Sequence, residues 1–217
     1  MTDTTEVVIY WFRKDLRLND LPSLKAACAD GKRVIPVYIH DDVNAGDWAM
    51  GSASRWWLHH SLDSLSQSLA DAGNALHIFE GDTLAVLPKI AQQVGASSIY
   101  CSRCHEPWAA ALEVTVHQAG ESSGFDVKRY PGSLLFEPEN ILNQAGLPFK
   151  VFTPFWKACL RSGEPAPSLP APTSLPIIAA NRKDIAGEIT LEQLQLLPQQ
   201  PNWAAGWDEH WQPGEAG

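Results

Sequence analysis

No stretch of this 217-residue chain is apolar for long enough to cross a bilayer, which takes about 18–20 consecutive apolar residues. The opening Met1-Thr-Asp-Thr-Thr-Glu6 is polar and acidic where a secretory signal would be basic and then apolar, so a cytoplasmic location is expected. Cysteine is scarce. Four residues (Cys28, Cys101, Cys104, Cys159) are too few for a disulfide framework at this size and suit a reducing compartment. Positive charge is also short, with 16 Lys and Arg against 25 Asp and Glu, a formal net charge of −9. Duplex DNA is bound by neutralising phosphates with Lys and Arg, so this chain is not expected to supply a main footprint on DNA. Neither a Gly-x-Gly-x-x-Gly nor a Walker-type Gly-Lys-Ser/Thr is present, which leaves dinucleotide-fold and P-loop chemistry without support. No Ser-His-Asp or Cys-His arrangement at a known spacing and no internal repeat stand out.

What the chain does contain is an alternation of short apolar runs with helix-length amphipathic stretches. Glu6–Phe12 reads as a strand buried on both faces, being continuous, β-branched and aromatic. Leu21–Ala29 reads as a helix with Asp20 as its N-cap, Pro22 in its first turn and Gly31 beyond its end. Arg33–Ile39 is a second strand. In Ser52–Ala72, Leu58, Leu62, Leu65 and Leu69 recur at spacings of four, three and four, and Gly73 closes the helix. Strands at Ala75–Phe79, Ser97–Cys101 and Phe125–Arg129 alternate with helices at Asp82–Val94, broken or starting late at Pro88, and at Glu106–Ser122, whose inner face carries Leu112 and Val116. The expected fold is α/β, a doubly wound, five-stranded parallel sheet of Rossmann-like type, followed by a linker and short helices.

Past Pro131 the character changes. Ser133–Thr153 is loop-like, Thr153–Arg161 a short helix, Ser162–Ile178 a Pro- and Ala-rich extended linker, and Thr190–Leu197 one or two helical turns. This divides the chain into 1–132, 133–185 and 186–217. Nine tryptophans are many for the length. Most are read as packing, but Trp203, Trp207 and Trp211 lie in a tail with no core of its own and are expected to offer surface to a partner or to a second copy.

Open parallel sheets bind ligands beyond the carboxyl ends of their strands, where the strand order reverses. Those ends are Arg13-Lys14-Asp15, His40-Asp41-Asp42, Glu80-Gly81-Asp82 and Ser102-Arg-Cys-His-Glu106, a mixture of charges suited to a flat polar ligand, with simple solvation as the plainer reading of any one residue. Cys101-Ser-Arg-Cys104-His105 matches the spacing of haem attachment, of a zinc half-site and of a redox pair. No second cysteine pair completes a zinc site, and the motif follows the fourth strand where a thioredoxin-type motif follows the first, so coincidence is preferred and no metal is expected. His59-His60 are neighbours on a helix and face different sides, whereas shared ligation favours a spacing of three or four.

Four segments carry a family resemblance. Tyr10-Trp-Phe-Arg-Lys-Asp-Leu-Arg-Leu-Asn-Asp20 resembles the W-F-R-x-D-L-R-L-x-D opening of photolyases and cryptochromes. Gly51-Ser-Ala-Ser-Arg-Trp-Trp-Leu-His-His60 is similar to the family's second helix. Glu137-Pro138 through Gly146-Leu-Pro-Phe-Lys-Val-Phe-Thr-Pro-Phe-Trp-Lys157 resembles E-P-x-x-I…G-x-P-Y-x-V-F-T-P-F-x-K, and Trp211-Gln-Pro-Gly-Glu-Ala-Gly217 resembles W-x-P-G-E-x-G. The resemblance implies an N-terminal domain that holds a light-harvesting antenna, an interdomain loop, and then a helical domain that binds FAD, takes up damaged DNA and splits the pyrimidine dimer by light-driven electron transfer. It implies that 186–217 begins that helical domain, that the chain stops before the FAD site, and that no catalytic residue lies within it. Arg13, Tyr38, Arg55, Cys104 and Glu106 fall at positions associated with the antenna. Ser102-Arg-Cys-His-Glu-Pro107 resembles the deazaflavin-type N-R-D-x-E-P loop, with Cys104 in place of the usual acid; the folate-type polar pair would fall on Trp108 and Ala109. A deazaflavin or flavin nucleotide is therefore expected ahead of a folate. Two other readings stay open, a cryptochrome-type photoreceptor and a stand-alone nucleotide-binding module.

Overall fold

Val7–Phe12 is apolar or aromatic throughout and buried at all six positions, which only a strand covered on both faces allows. It is β1, the centre of the sheet. The computed structural model describes residues 6–29, 32–173, 175 and 185–217. β2 (Arg33–His40), β3 (His77–Glu80), β4 (Ser98–Ser102) and β5 (Asp126–Tyr130) join β1 in one all-parallel sheet of order β3-β2-β1-β4-β5. Successive strands step outward from β1 to β3, and the chain then returns to place β4 on the other side of β1. The order reverses between β1 and β4, where a ligand crevice is expected.

Alternate residues of β1 feed two cores. Val8, Tyr10 and Phe12 pack with Leu24 of α1 (Pro22–Ala27) and with Leu58, Leu62, Leu65 and Leu69 of α2 (Ser52–Asp71). Val7, Ile9 and Trp11 pack with Leu87 and Ile90 of α3 (Thr83–Val94) and with Leu112 and Val116 of α4 (Pro107–Ser123). Each fully buried leucine contributes on the order of 1.5–3 kcal/mol. Two helices thus cover each face, as the doubly wound expectation requires. Gly95 (φ 67°) and Gly124 (φ 81°) end α3 and α4 in the left-handed conformation that other residues resist.

Three local expectations need correction. Asp20 does not cap α1: it adopts φ 53° and exchanges hydrogen bonds with Leu169, its N–H donating to the Leu169 carbonyl at 2.8 Å and its Oδ1 accepting from the Leu169 N–H at 3.1 Å. Pro88 does not break α3. The helix runs through it, because buried Leu87, Ile90 and Ala91 hold that turn against the sheet despite one missing N–H. The tail is not an unpacked appendage. Trp207 meets Trp56 of α2 edge to face at 5.3 Å, Trp203 meets Trp207 at 5.0 Å, and Trp211 meets Trp57 at 6.0 Å. Glu215 then accepts from the Leu18 and Asn19 amides, both at 2.7 Å. Trp207 is drawn onto α2, while Trp203 and Trp211 keep 39% and 57% of their surface exposed.

The expected short helix is present as α5 (Phe152–Arg161), while the 190–197 segment forms a single 3-10 turn at Glu192–Leu194. The linker carries no helix or strand where described, and the Ala171 N–H ties it to the α1 entrance by donating to Asn19. Further on, Ile189 bridges antiparallel to Ile78 and its N–H donates to the Ile78 carbonyl at 2.9 Å, so one position on the outer edge of β3 is paired. Met1–Thr5, Gly31 and residues 176–178 of the expected linker lie outside the described residues.

Candidate functional site

The C-terminal ends of β1, β2 and β4 open into a cleft of ≈ 220 Å³. Its walls are aromatic and aliphatic: Trp11 from β1, Ile39 from β2, Trp48 and Met50 from the loop before α2, and Trp108 and Leu112 from α4. Its polar groups are Arg13, Lys14, His40, Asp41, Asp42 and Glu106. An apolar pocket with a few convergent polar groups at the switch point is the usual form of a small-molecule or cofactor site. Of the strand ends singled out in the sequence, those of β1, β2 and β4 meet here. The β3 end contributes only Thr83, and Asp82 instead caps α3, accepting from the Leu84 N–H at 2.9 Å.

Four of the five expected antenna residues line this cleft: Arg13, Tyr38, Cys104 and Glu106. Arg55 does not. It stands behind one wall, ion-paired with Asp42, donating to the Met50 carbonyl at 2.9 Å and 3.1 Å from His40 Nε2. Arg13 is the most constrained of the set. Its guanidinium is ion-paired to Glu113 at 2.7 Å, donates to the Ser102 carbonyl, and lies 4.6 Å from the centre of the Trp11 ring. Tyr38 is buried, and desolvation pushes its phenol well above the ordinary range, so it stays neutral.

Burial also pushes up the thiols, Cys101 to about 12 and Cys104 to about 11. Neither is a ready thiolate at neutral pH, which weighs against the redox reading of Cys101-Ser-Arg-Cys104-His105. Cys101 fills the core beneath α3 and α4, and among the described residues no cluster of three or more His, Cys, Asp or Glu is placed to hold a metal. His59 and His60 pack edge to face, with His60 also against Trp56.

A second cavity of ≈ 200 Å³ adjoins the first, with Arg17, Arg103 and His105 in its lining. Lys14, Cys104 and Glu106 line both. The Lys14–Glu106 ion pair stands between them, and the hydrogen bond from Lys14 is the main cause holding the Glu106 carboxyl below its usual range. Trp48 and Trp108 were not among the expected site residues, since ring function depends on which loops the topology gathers. Glu113 was missed as well. The only available signal was its spacing of three and seven from Val116 and Gly120, which places it on the inner stripe of α4.

The family model for DNA photolyase matches residues 8–173, most of the chain. The chain belongs to the DNA photolyase family. Within that family it is 39% identical over all 217 residues to the deoxyribodipyrimidine photo-lyase of Agrobacterium fabrum, covering 100% of this chain and 44% of the relative. It is 34% identical to cryptochrome-2 of Arabidopsis thaliana over 92% of this chain and 34% of the relative. Its fold is similar to the crystal structure of a bacterial class III photolyase from Agrobacterium tumefaciens, with a TM-score of 0.90 and 37% identity, covering 100% of this chain and 44% of that one. The chain thus spans less than half the length of these photolyase and cryptochrome relatives.

Proposed function

We propose that this chain is the light-harvesting-cofactor domain of a deoxyribodipyrimidine photolyase that acts in the cytoplasm. Residues 1–132 form the antenna domain, 133–185 the interdomain loop and linker, and 186–217 the lead into a helical FAD-binding domain. Repair of pyrimidine dimers belongs to the whole enzyme, with FAD and damaged DNA held by that further domain.

The observation that carries this reading is the cleft at the switch point, with Trp11, Trp48 and Trp108 in its walls and charges at its mouth. Aromatic walls favour a planar fused-ring pigment over a flexible aliphatic ligand. The bound pigment supplies absorption of near-ultraviolet or blue light; the protein supplies position and a fixed electrostatic surround. Arg13 presents a buried positive charge, Tyr38 a neutral phenol, and Arg55 steadies the wall that carries His40 and Asp42. A deazaflavin or flavin nucleotide is the preferred occupant. Trp108 lines the cleft at a position where folate-type binding uses a polar group.

Titration of the purified chain with FMN, 8-hydroxydeazaflavin and methenyltetrahydrofolate, followed by absorbance, tests the reading. One-to-one binding of a flavin-type pigment, lost in a Trp48→Ala/Trp108→Ala double variant, is expected. Preference for the folate would overturn the choice of pigment, and binding of none of the three would overturn the antenna function. The similarity to cryptochrome-2 favours one alternative, a photoreceptor that signals by binding a partner. Dimer-repair activity of the complete gene product decides between the two.

A further inference from the structure

We propose, on the basis of the antenna reading above, that Glu113 is the positioning residue of the pigment cleft, fixing the Arg13 side chain and the backbone of Cys104 from behind. Glu113 lies within α4 with its side chain 2% exposed. A carboxylate that deep in a core is costly unless fully paired. Here both oxygens are used. Oε1 lies 2.7 Å from Arg13 Nη1 and accepts the Cys104 N–H at 2.7 Å; Oε2 accepts from Arg129 at 3.1 Å.

The three partners come from three separate strand ends or strands, and they divide by location. Arg13 and Cys104 line the cleft. Arg129 belongs to β5, is 44% exposed, and takes no part in the cleft. One carboxylate therefore couples the guanidinium beside Trp11 to the loop that delivers Cys104 and Glu106. Without it, Arg13 would keep the Ser102 carbonyl and the Trp11 ring as partners, neither carrying a countercharge. A guanidinium seeking water would then turn outward through the cleft, changing both its shape and its charge. A pure packing role predicts a different pattern: the Arg129 contact would matter as much as the Arg13 contact, and the pigment's spectrum would be indifferent to both.

Glu113→Gln, Glu113→Asp and Arg129→Gln are to be compared with the wild-type chain by titration with FMN, with 8-hydroxydeazaflavin in its place if FMN does not bind. The readouts are Kd and the absorption maximum of the bound pigment, with circular dichroism to establish folding. E113Q is expected to weaken binding at least tenfold and to move the absorption band, E113D to recover part of both, and R129Q to leave both within twofold of wild type. Wild-type Kd and band in folded E113Q would overturn the proposal. If E113Q does not fold, the contrast between E113D and R129Q carries the test: a loss of affinity confined to E113D supports the positioning role, and equal effects of the two variants overturn it. A wild-type chain that binds neither pigment removes the antenna reading and this proposal together, whereas a binding wild type with an unaltered E113Q removes this proposal alone.

Discussion

His40 shows how far a single side chain in this cleft is committed to one charge state. It is 3% exposed at the end of β2, and burial is the main reason its imidazole sits below the ordinary histidine range; the nearby Arg55 adds to that and Asp42 opposes it. Neutral imidazole leaves Nε2 free to accept from Arg55 at 3.1 Å. The sign of the pH effect follows. A proton binds His40 more readily in the unfolded chain, so its contribution to stability is intact above the unfolded value of about 6.5 and drains as pH falls from there towards the lower folded value. Lowered carboxylates such as Asp41 and Glu106 lose their contribution further down, as pH falls from about 4. Acid denaturation followed by fluorescence should therefore show two stages. His40→Gln, neutral at all pH, should flatten the slope that begins as pH falls below about 6.5 and leave the lower stage in place. An unchanged upper stage in H40Q would assign it to another group, His59 being the other histidine lowered by burial.

At the scale of elements, the tail and α2 form a unit whose fit turns on one glycine. Gly214 has φ 112°, and a Cβ built there would lie 2.4 Å from Ser64 Oγ and 2.7 Å from Ser64 Cβ. Gly214→Ala should detach residues 203–217 from α2 at a cost of more than about 1 kcal/mol locally. Proteolysis should cut faster beyond Leu197, and tryptophan emission should shift to the red. Wild-type cleavage kinetics would show that the tail tolerates the change. The sequence revealed the elements unevenly, for identifiable reasons. β1 and the leucine repeat of α2 were readable because burial on two faces or along one stripe leaves a local pattern. Asp20 misled because the partner that claims it, Leu169, lies far along the chain. Pro88 misled because the packing of Leu87 and Ile90 outweighs a missing hydrogen bond. Arg13, Tyr38, Cys104 and Glu106, expected from family motifs, line the cleft, whereas Arg55, expected by the same route, contacts Asp42, His40 and Met50 behind its wall. Trp48, Trp108 and Glu113 needed the topology, which brings the loop before α2 and the first turns of α4 over the ends of β1 and β2.

For the whole molecule, charge and exposed apolar surface point in different directions. A net charge of −9 repels a polyanion, and the arginines near the strand ends are already engaged: Arg13 by Glu113, Arg55 by Asp42, Arg103 by Glu137 and Glu139. The chain alone should show no retention of a thymine-dimer duplex at about 150 mM salt, where non-specific binders have Kd values on the order of 10⁻⁴–10⁻⁶ M. Tight, steeply salt-dependent binding in a fluorescence-anisotropy titration would contradict this. Exposed apolar side chains lie both in the tail, at Trp203 and Trp211, and along 135–160, where Leu135, Val151, Phe152 and Leu160 are each more than 60% exposed. The strap that lays Ile189 along β3 has its own consequence for the sheet as a whole. A bare outermost strand is a template on which a neighbouring molecule can add a strand of its own, the first step towards fibrils. Ile189 occupies one position of that margin, at Ile78, from within the same chain. The opposite margin, β5, carries Asp126, Lys128 and Arg129, ionic groups that make a flush approach by another strand costly. Both borders of the sheet are thereby guarded against runaway pairing, one by occupancy and one by charge.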